Sequence, residues 1–312
     1  MMFAADTAGI PYREYASNGE AMAHAQIATA ERYGLDYVSS ISDPAREASD
    51  LGAAVEWFDD QPPAIIESEA LLRDKAKLME LRLPDLDAAG RMRDRIRAVG
   101  ILAEAAGAER MVEGWVEGPA ALSADLRGLN TLMLDFYDAP EFVDALVDFV
   151  VEMEIGFARA QIAAGATVVG IGDAAASLIG PKFYERFAWK GECRLVKAIH
   201  EAGALARLHI CGNTRRILAD MGRTGADIVD LDFLAPIGEA RAAMGEERVL
   251  LGNLDPVRVV RDGTPETIAA ALAECHRQAG RRYIAGAGCE IPRGTPPENL
   301  LAISRYAREH CA

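Results

Sequence analysis

The chain has 312 residues, half of them hydrophobic, with a formal net charge of −15 and a pI near 4.9. A surface this acidic repels phosphate backbones and anionic bilayers, so nucleic-acid and membrane partners are not expected. Five cysteines over this length make no disulfide framework, and the opening residues MMFAADTAGI show no basic region followed by an apolar run. With no long uncharged apolar stretch either, the reading is a cytoplasmic protein with reduced thiols, free to bind metal or to react.

Residues 1–34 read as an N-terminal helical segment, followed by a barrel over about 35–312, the whole forming a single domain. Along the barrel, strand-like runs alternate with amphipathic ones. The strand candidates are LDYVSSI (35–41), the weaker PAIIES (63–68), RMVEGWVEG (110–118), ATVVGIGD (166–173), ARLHICGN (206–213), ADIVDLDF (226–233), RVLLGNLDP (248–256) and RYIAGAGCE (282–290). Between them lie helical patterns such as 140–165 and 265–280. Strands alternating with helices imply parallel pairing, and apolar residues on both parities fit strands buried on both faces. Eight such units fit an α/β fold of the closed (β/α)8, or TIM-barrel, type. An open doubly wound sheet is the runner-up, but no GxGxxG opens the first helix, so a dinucleotide site has little support.

In a barrel, side chains at the C-terminal strand ends face one shared site. His209 and Cys211 are two apart on one strand and therefore project to the same side. Cys289 ends the last predicted strand, across the same mouth. An imidazole and two thiolates with an open position make a known catalytic zinc arrangement. Asp232 is the preferred fourth ligand, with Asp230 at the same parity. Asp173 and Asn253, at the ends of two further strands, are the candidate catalytic residues; Asp255 and Glu290 also close strands. Helix capping or hydrogen bonding to the histidine is the plainer role for each of these polar groups. Cys193 and Cys275 fall in helical patterns and Cys311 in the tail, as do His24, His200, His276 and His310. Trp115 reads as pocket floor or core. Asp43, Arg46 and Glu47, in the loop after the first strand, read as substrate grips or as a solvated salt bridge.

Two thiolates and an imidazole already donate strongly to zinc, which suits holding a substrate thiol as thiolate better than activating water. The stretches LHICGNT (208–214), LLGNLDP (250–256), GCEIPRGTPPENLLA (288–302), EGPAAL (117–122) and GDAAASLIGPKFYERF (172–187) resemble the uroporphyrinogen decarboxylase superfamily, and the HxC…C pattern resembles its cobalamin-dependent methyltransferase branch. The resemblance implies a (β/α)8 barrel with Zn2+ on His209, Cys211 and Cys289. It also implies methyl transfer from a methylcobamide to a thiol such as coenzyme M, or to tetrahydrofolate. The sequence AIHEAG (198–203) has alanine where a cobalt-ligating DxHxxG motif needs aspartate, so the corrinoid is expected on a separate protein, with a small-molecule methyl acceptor and a possible homodimer as further partners. The alternatives are a metal-free decarboxylase, whose PxWxMRQAGRY-like signature is absent while only Arg13 of PYREY offers an arginine, and a non-catalytic ligand-binding barrel.

Overall fold

A computed structural model describes residues 2–43, 45–88 and 90–311. Three helices, Met2–Ala8, Tyr12–Ser17 and Gly19–Tyr33, precede the sheet. The third starts at Asn18, whose side chain accepts the N–H groups of Glu20 and Ala21, and ends at Gly34, whose φ of 62° closes it in the left-handed conformation.

Seven parallel strands then form one sheet in the order β1 (Tyr37–Ser39), β4 (Met111–Glu117), β5 (Val168–Gly172), β6 (Leu205–Ile210), β7 (Ile228–Leu231), β8 (Val249–Leu254) and β9 (Tyr283–Ala287). All seven coincide with runs expected from the sequence. The eighth does not: PAIIES supplies β3 (Ala64–Ile65), which pairs antiparallel with β2 (Val55–Glu56) in a separate two-stranded ribbon. Periodicity identifies an extended segment but not its partner, and here a short neighbour captured it. Among the described residues β9 and β1 do not pair. The gap between them is flanked by Gly19–Tyr33 and the last helix, Pro297–His310, which meet where Ser304 Oγ donates to the Tyr33 carbonyl at 2.6 Å.

Helices pack the outer face. Pro140–Ala163 and Pro265–Ala279 occupy the expected positions, the latter opened by a reciprocal Thr264–Thr267 capping box with proline at its first position. Inside the curl, alternate residues of β4 and β6 do not form the usual branched aliphatic layers. Trp115 lies against β5, where Gly170 and Gly172 leave room: a Cβ at either would stand 2.4 or 2.6 Å from the indole. Arg207 sits over the same ring, 5.6 Å from its centroid. Gln161, from the helix outside, hydrogen-bonds both the N–H and the carbonyl of Trp115, each at 2.9 Å.

The glycines of β5 are therefore packing requirements. Gly170→Ala is expected to destabilise the fold by about 1–3 kcal/mol through overpacking against Trp115, measured by urea unfolding; an unchanged midpoint would show that the ring is free to move.

Candidate metal centre

The strand ends bring the three expected ligands together. One donor atom from each of His209, Cys211 and Cys289 lies within 4.8 Å of the other two. His209 Nε2 is 3.1 Å from Cys211 Sγ. Strand spacing alone would put β6 and β9, three places apart, about 14 Å from each other in a flat sheet, so it is the curl that makes the cluster. An ion with bonds of ~2.0–2.3 Å in a tetrahedron holds its donors about 3.5 Å apart. The donor set and its spacing thus fit a thiophilic divalent cation such as zinc.

The environment prepares the histidine. Its Nδ1 faces Asp230 Oδ2 at 3.0 Å, which directs Nε2 toward the thiols. Asp230 also takes Arg207 at 2.5 Å, and Arg207 takes Glu113 at 2.6 Å, so a buried chain of charges joins β4, β6 and β7. Burial opposes charge on His209, but Asp230, aided by Cys289, outweighs it and pushes the imidazole up to about 10. Burial likewise opposes ionisation of Asp230, and Arg207 and His209 still pull it down to about 2. Hydrogen bonds from Cys211 and His209 bring the Cys289 thiol down to about 5, whereas its bond to Cys289 and burial push Cys211 well above the usual thiol range.

Asp232, expected as the fourth ligand, stands outside the cluster. Its Oδ2 accepts the N–H of Gly212 and its Oδ1 that of Leu234, both at 2.8 Å, so it braces the turn beside Cys211. The two expected catalytic residues also have structural placements. Asp173 is fully buried and accepts the N–H groups of Ala120 and Ala121, at 3.3 and 2.6 Å; it caps the helix after β4, not the one following its own strand. Burial pushes it up to about 6 despite those bonds. Asn253 donates to the carbonyls of Asp232 and Ala235, at 3.1 and 2.6 Å. Neither carboxylate nor amide meets the three ligands. Asp43, Arg46 and Glu47 form a buried ion network, not a solvated bridge: Arg46 pairs with Glu47 at 2.6 Å and donates to the carbonyls of Ile41 and Trp115, and Asp43 pairs with Arg91. His200 lies on the helix Lys190–Glu201, 2.8 Å from Asp227. Arg13 lies at the rim of an open hollow of about 1140 Å³ that none of the three clustered residues lines.

Sequence reasoning overlooked Glu113, Glu117 and Arg207. Their signal was present: each is a charged residue on the inward parity of an otherwise apolar strand. Glu117 accepts from Ser42 Oγ at 3.1 Å and from the Trp115 indole at 3.2 Å, and burial, reinforced by Glu47, pushes it up to about 8.

A curled parallel α/β sheet with an imidazole and two thiols at its C-terminal edge defines a barrel-like enzyme scaffold with its site in the usual place. The chain belongs to the uroporphyrinogen decarboxylase (URO-D) family, which it matches over residues 2–310. It is 32% identical over 309 residues, 98% of this chain and 89% of the relative, to the methylcobamide:CoM methyltransferase MtbA of Methanosarcina mazei. A uroporphyrinogen decarboxylase of Parasynechococcus marenigrum is 34% identical over 220 residues, 67% of this chain and 61% of that one. A solved methyltransferase structure from Methanosarcina mazei superposes with a TM-score of 0.85 at 23% identity, covering all of this chain and 91% of the other, which supports the fold. Among the described residues no helix is long and apolar enough to cross a membrane.

Because Glu117 holds its proton more tightly in the folded chain than in the unfolded one, folding stability falls as pH rises from the ordinary glutamate range near 4.5 to about 8. Glu117→Gln is expected to flatten that decline in urea unfolding between pH 5 and 8.5; an equally steep decline in the variant would assign it to other groups.

Proposed function

We propose that the protein is a zinc-dependent methyltransferase that moves a methyl group from a methylated corrinoid, carried by a separate protein, to a thiol such as coenzyme M. The observation that carries this reading is the His209–Cys211–Cys289 cluster. The methylcobamide:CoM methyltransferase matched over nearly the whole chain supports it. The scaffold is read as a (β/α)8-type barrel whose position between β9 and β1 is spanned by the flanking helices.

When bound, zinc would take the acceptor thiol as a thiolate at neutral pH. His209, Cys211 and Cys289 would hold the ion, and Asp230 orients His209 by accepting from Nδ1. A methylcobamide would supply the methyl group as the electrophile, and the acceptor thiol, its proton lost to solvent, would be presented to it as a thiolate. Asp232 keeps the Cys211 turn in place through the Gly212 N–H. Decarboxylation has no use for this cluster, and tetrahydrofolate stands as the second acceptor to be offered in the assay.

The purified protein is expected to hold about one zinc per chain, and His209→Ala or Cys289→Ala to lose it, as read by metal analysis. Asp230→Asn is expected to retain the ligands but to weaken zinc by about 10–100-fold in competition with a chelator. Methylcobalamin should be demethylated on addition of coenzyme M. Protein free of zinc after metal-replete preparation, or inert toward every thiol and folate offered, overturns the reading.

A further inference from the structure

Two of the three clustered donors are thiols, and they face each other. The Sγ atoms of Cys211 and Cys289 lie within 4.8 Å of one another. His209 is buried, Cys211 is partly open to solvent and Cys289 is more open still. The other cysteines face different atoms. Cys275 Sγ donates to Asn253 Oδ1 at 3.8 Å, Cys311 Sγ lies 3.9 Å from His276 Nδ1, and Cys193 is half-buried on the helix Lys190–Glu201.

The two thiol-bearing segments are pinned to one turn. Asp232 Oδ2 accepts the N–H of Gly212, next to Cys211, at 2.8 Å. Gly288, next to Cys289, packs so closely on the same turn that a Cβ there would stand 2.4 Å from Phe233 N. Asn253 closes the turn by donating to the carbonyls of Asp232 and Ala235. Main-chain contacts therefore keep the segments together, and the sulfurs move by rotation of their own side chains. A disulfide sets its sulfurs ~2.0 Å apart, so closing one from within 4.8 Å needs an approach of less than about 3 Å, the scale of such a rotation.

We propose that Cys211 and Cys289 form a disulfide on exposure to a peroxide, an oxidative off-switch built from the metal ligands themselves. Cys289, the more open thiol, meets the oxidant first. Its sulfur takes one peroxide oxygen as the O–O bond breaks; the other oxygen leaves as water, and the product is a sulfenic acid. Cys211 Sγ then attacks that sulfur, the S–S bond forms, the S–O bond breaks, and the hydroxyl leaves with the remaining thiol proton as a second water. Two thiols lose two electrons between them and one peroxide becomes two waters. A resolving thiol this close intercepts the sulfenic acid before further oxidation, which keeps the change reversible by a dithiol. With both sulfurs joined, His209 alone remains as a donor, too few to retain an ion. The loss of the ion rests on the zinc reading above; the sulfur chemistry does not.

The test uses the full-length protein, zinc-loaded and chelator-stripped, treated with hydrogen peroxide. The stripped chain is expected to lose the mass of two hydrogens, with tandem mass spectrometry linking the peptides of Cys211 and Cys289. The zinc-loaded chain should release one zinc per bridge formed, read with a chromogenic chelator, and dithiothreitol should restore both thiols and zinc uptake. Cys193→Ser/Cys275→Ser/Cys311→Ser should form the same bridge, and Cys211→Ser should instead gain oxygen on Cys289. If the triple variant does not fold, the peptide map of the wild type decides. Oxygen addition to wild-type Cys289 without a bridge, a bridge to any other cysteine, or a bridge that forms while zinc stays bound overturns the proposal. A wild type that holds no zinc but still forms the Cys211–Cys289 bridge upholds the sulfur chemistry and overturns the zinc reading instead.

Discussion

Arg207 holds Glu113 and Asp230 at 2.6 and 2.5 Å in the interior of the sheet, and Asp230 in turn holds His209. Each of these ions taken alone would cost several kcal/mol to remove from water. Together they neutralise one another pairwise, and the guanidinium gains a further partner in the face of Trp115. Trp115 can lie there because β5 offers two glycines instead of side chains. The orientation of the imidazole at the strand end is thus set by a sequence of contacts that begins on β4, crosses beneath the indole and ends on β7. The same contacts fix which nitrogen of His209 faces the thiols.

Much of this arrangement was legible in the sequence, and particular residues show why. The seven sheet strands stand out because burial on both faces asks for short, largely apolar runs, even where Glu113, Glu117 and Arg207 interrupt them. His209 and Cys211 could be paired because two residues along a strand is a fixed geometric relation. Cys289 could be added because parallel strands deliver all their ends to one edge. The fate of PAIIES was not legible: β3 pairs with β2, and pairing is a property of two segments.

The polar residues at the strand ends mark a second limit. Asp173, Asp232 and Asn253 look alike in sequence, each a polar group after an apolar run, and each could serve a substrate. Their placements separate them by long-range contacts. Asp173 caps a helix more than fifty positions upstream, and Asn253 ties its strand to a turn about twenty residues before it. Local capping rules point only to the next helix, so they could not name these partners. Glu113, Glu117 and Arg207 illustrate the converse. A charge on the inward face of a buried strand is costly enough that it must have a partner, and the cost is visible in sequence even though the partner is not.

The electrostatics around the cluster draw charge to the strand end from both sides. Asp230 favours the charged imidazole of His209, and Cys211 and His209 together favour the thiolate of Cys289. Arg207 and Glu113 hold Asp230 in place from the sheet interior, so a rigid, buried set of counter-charges stands directly behind thiols that are themselves partly open to solvent. Buried charges need fixed partners, whereas a group that exchanges protons or ligands needs access, and the strand end is where the two requirements meet.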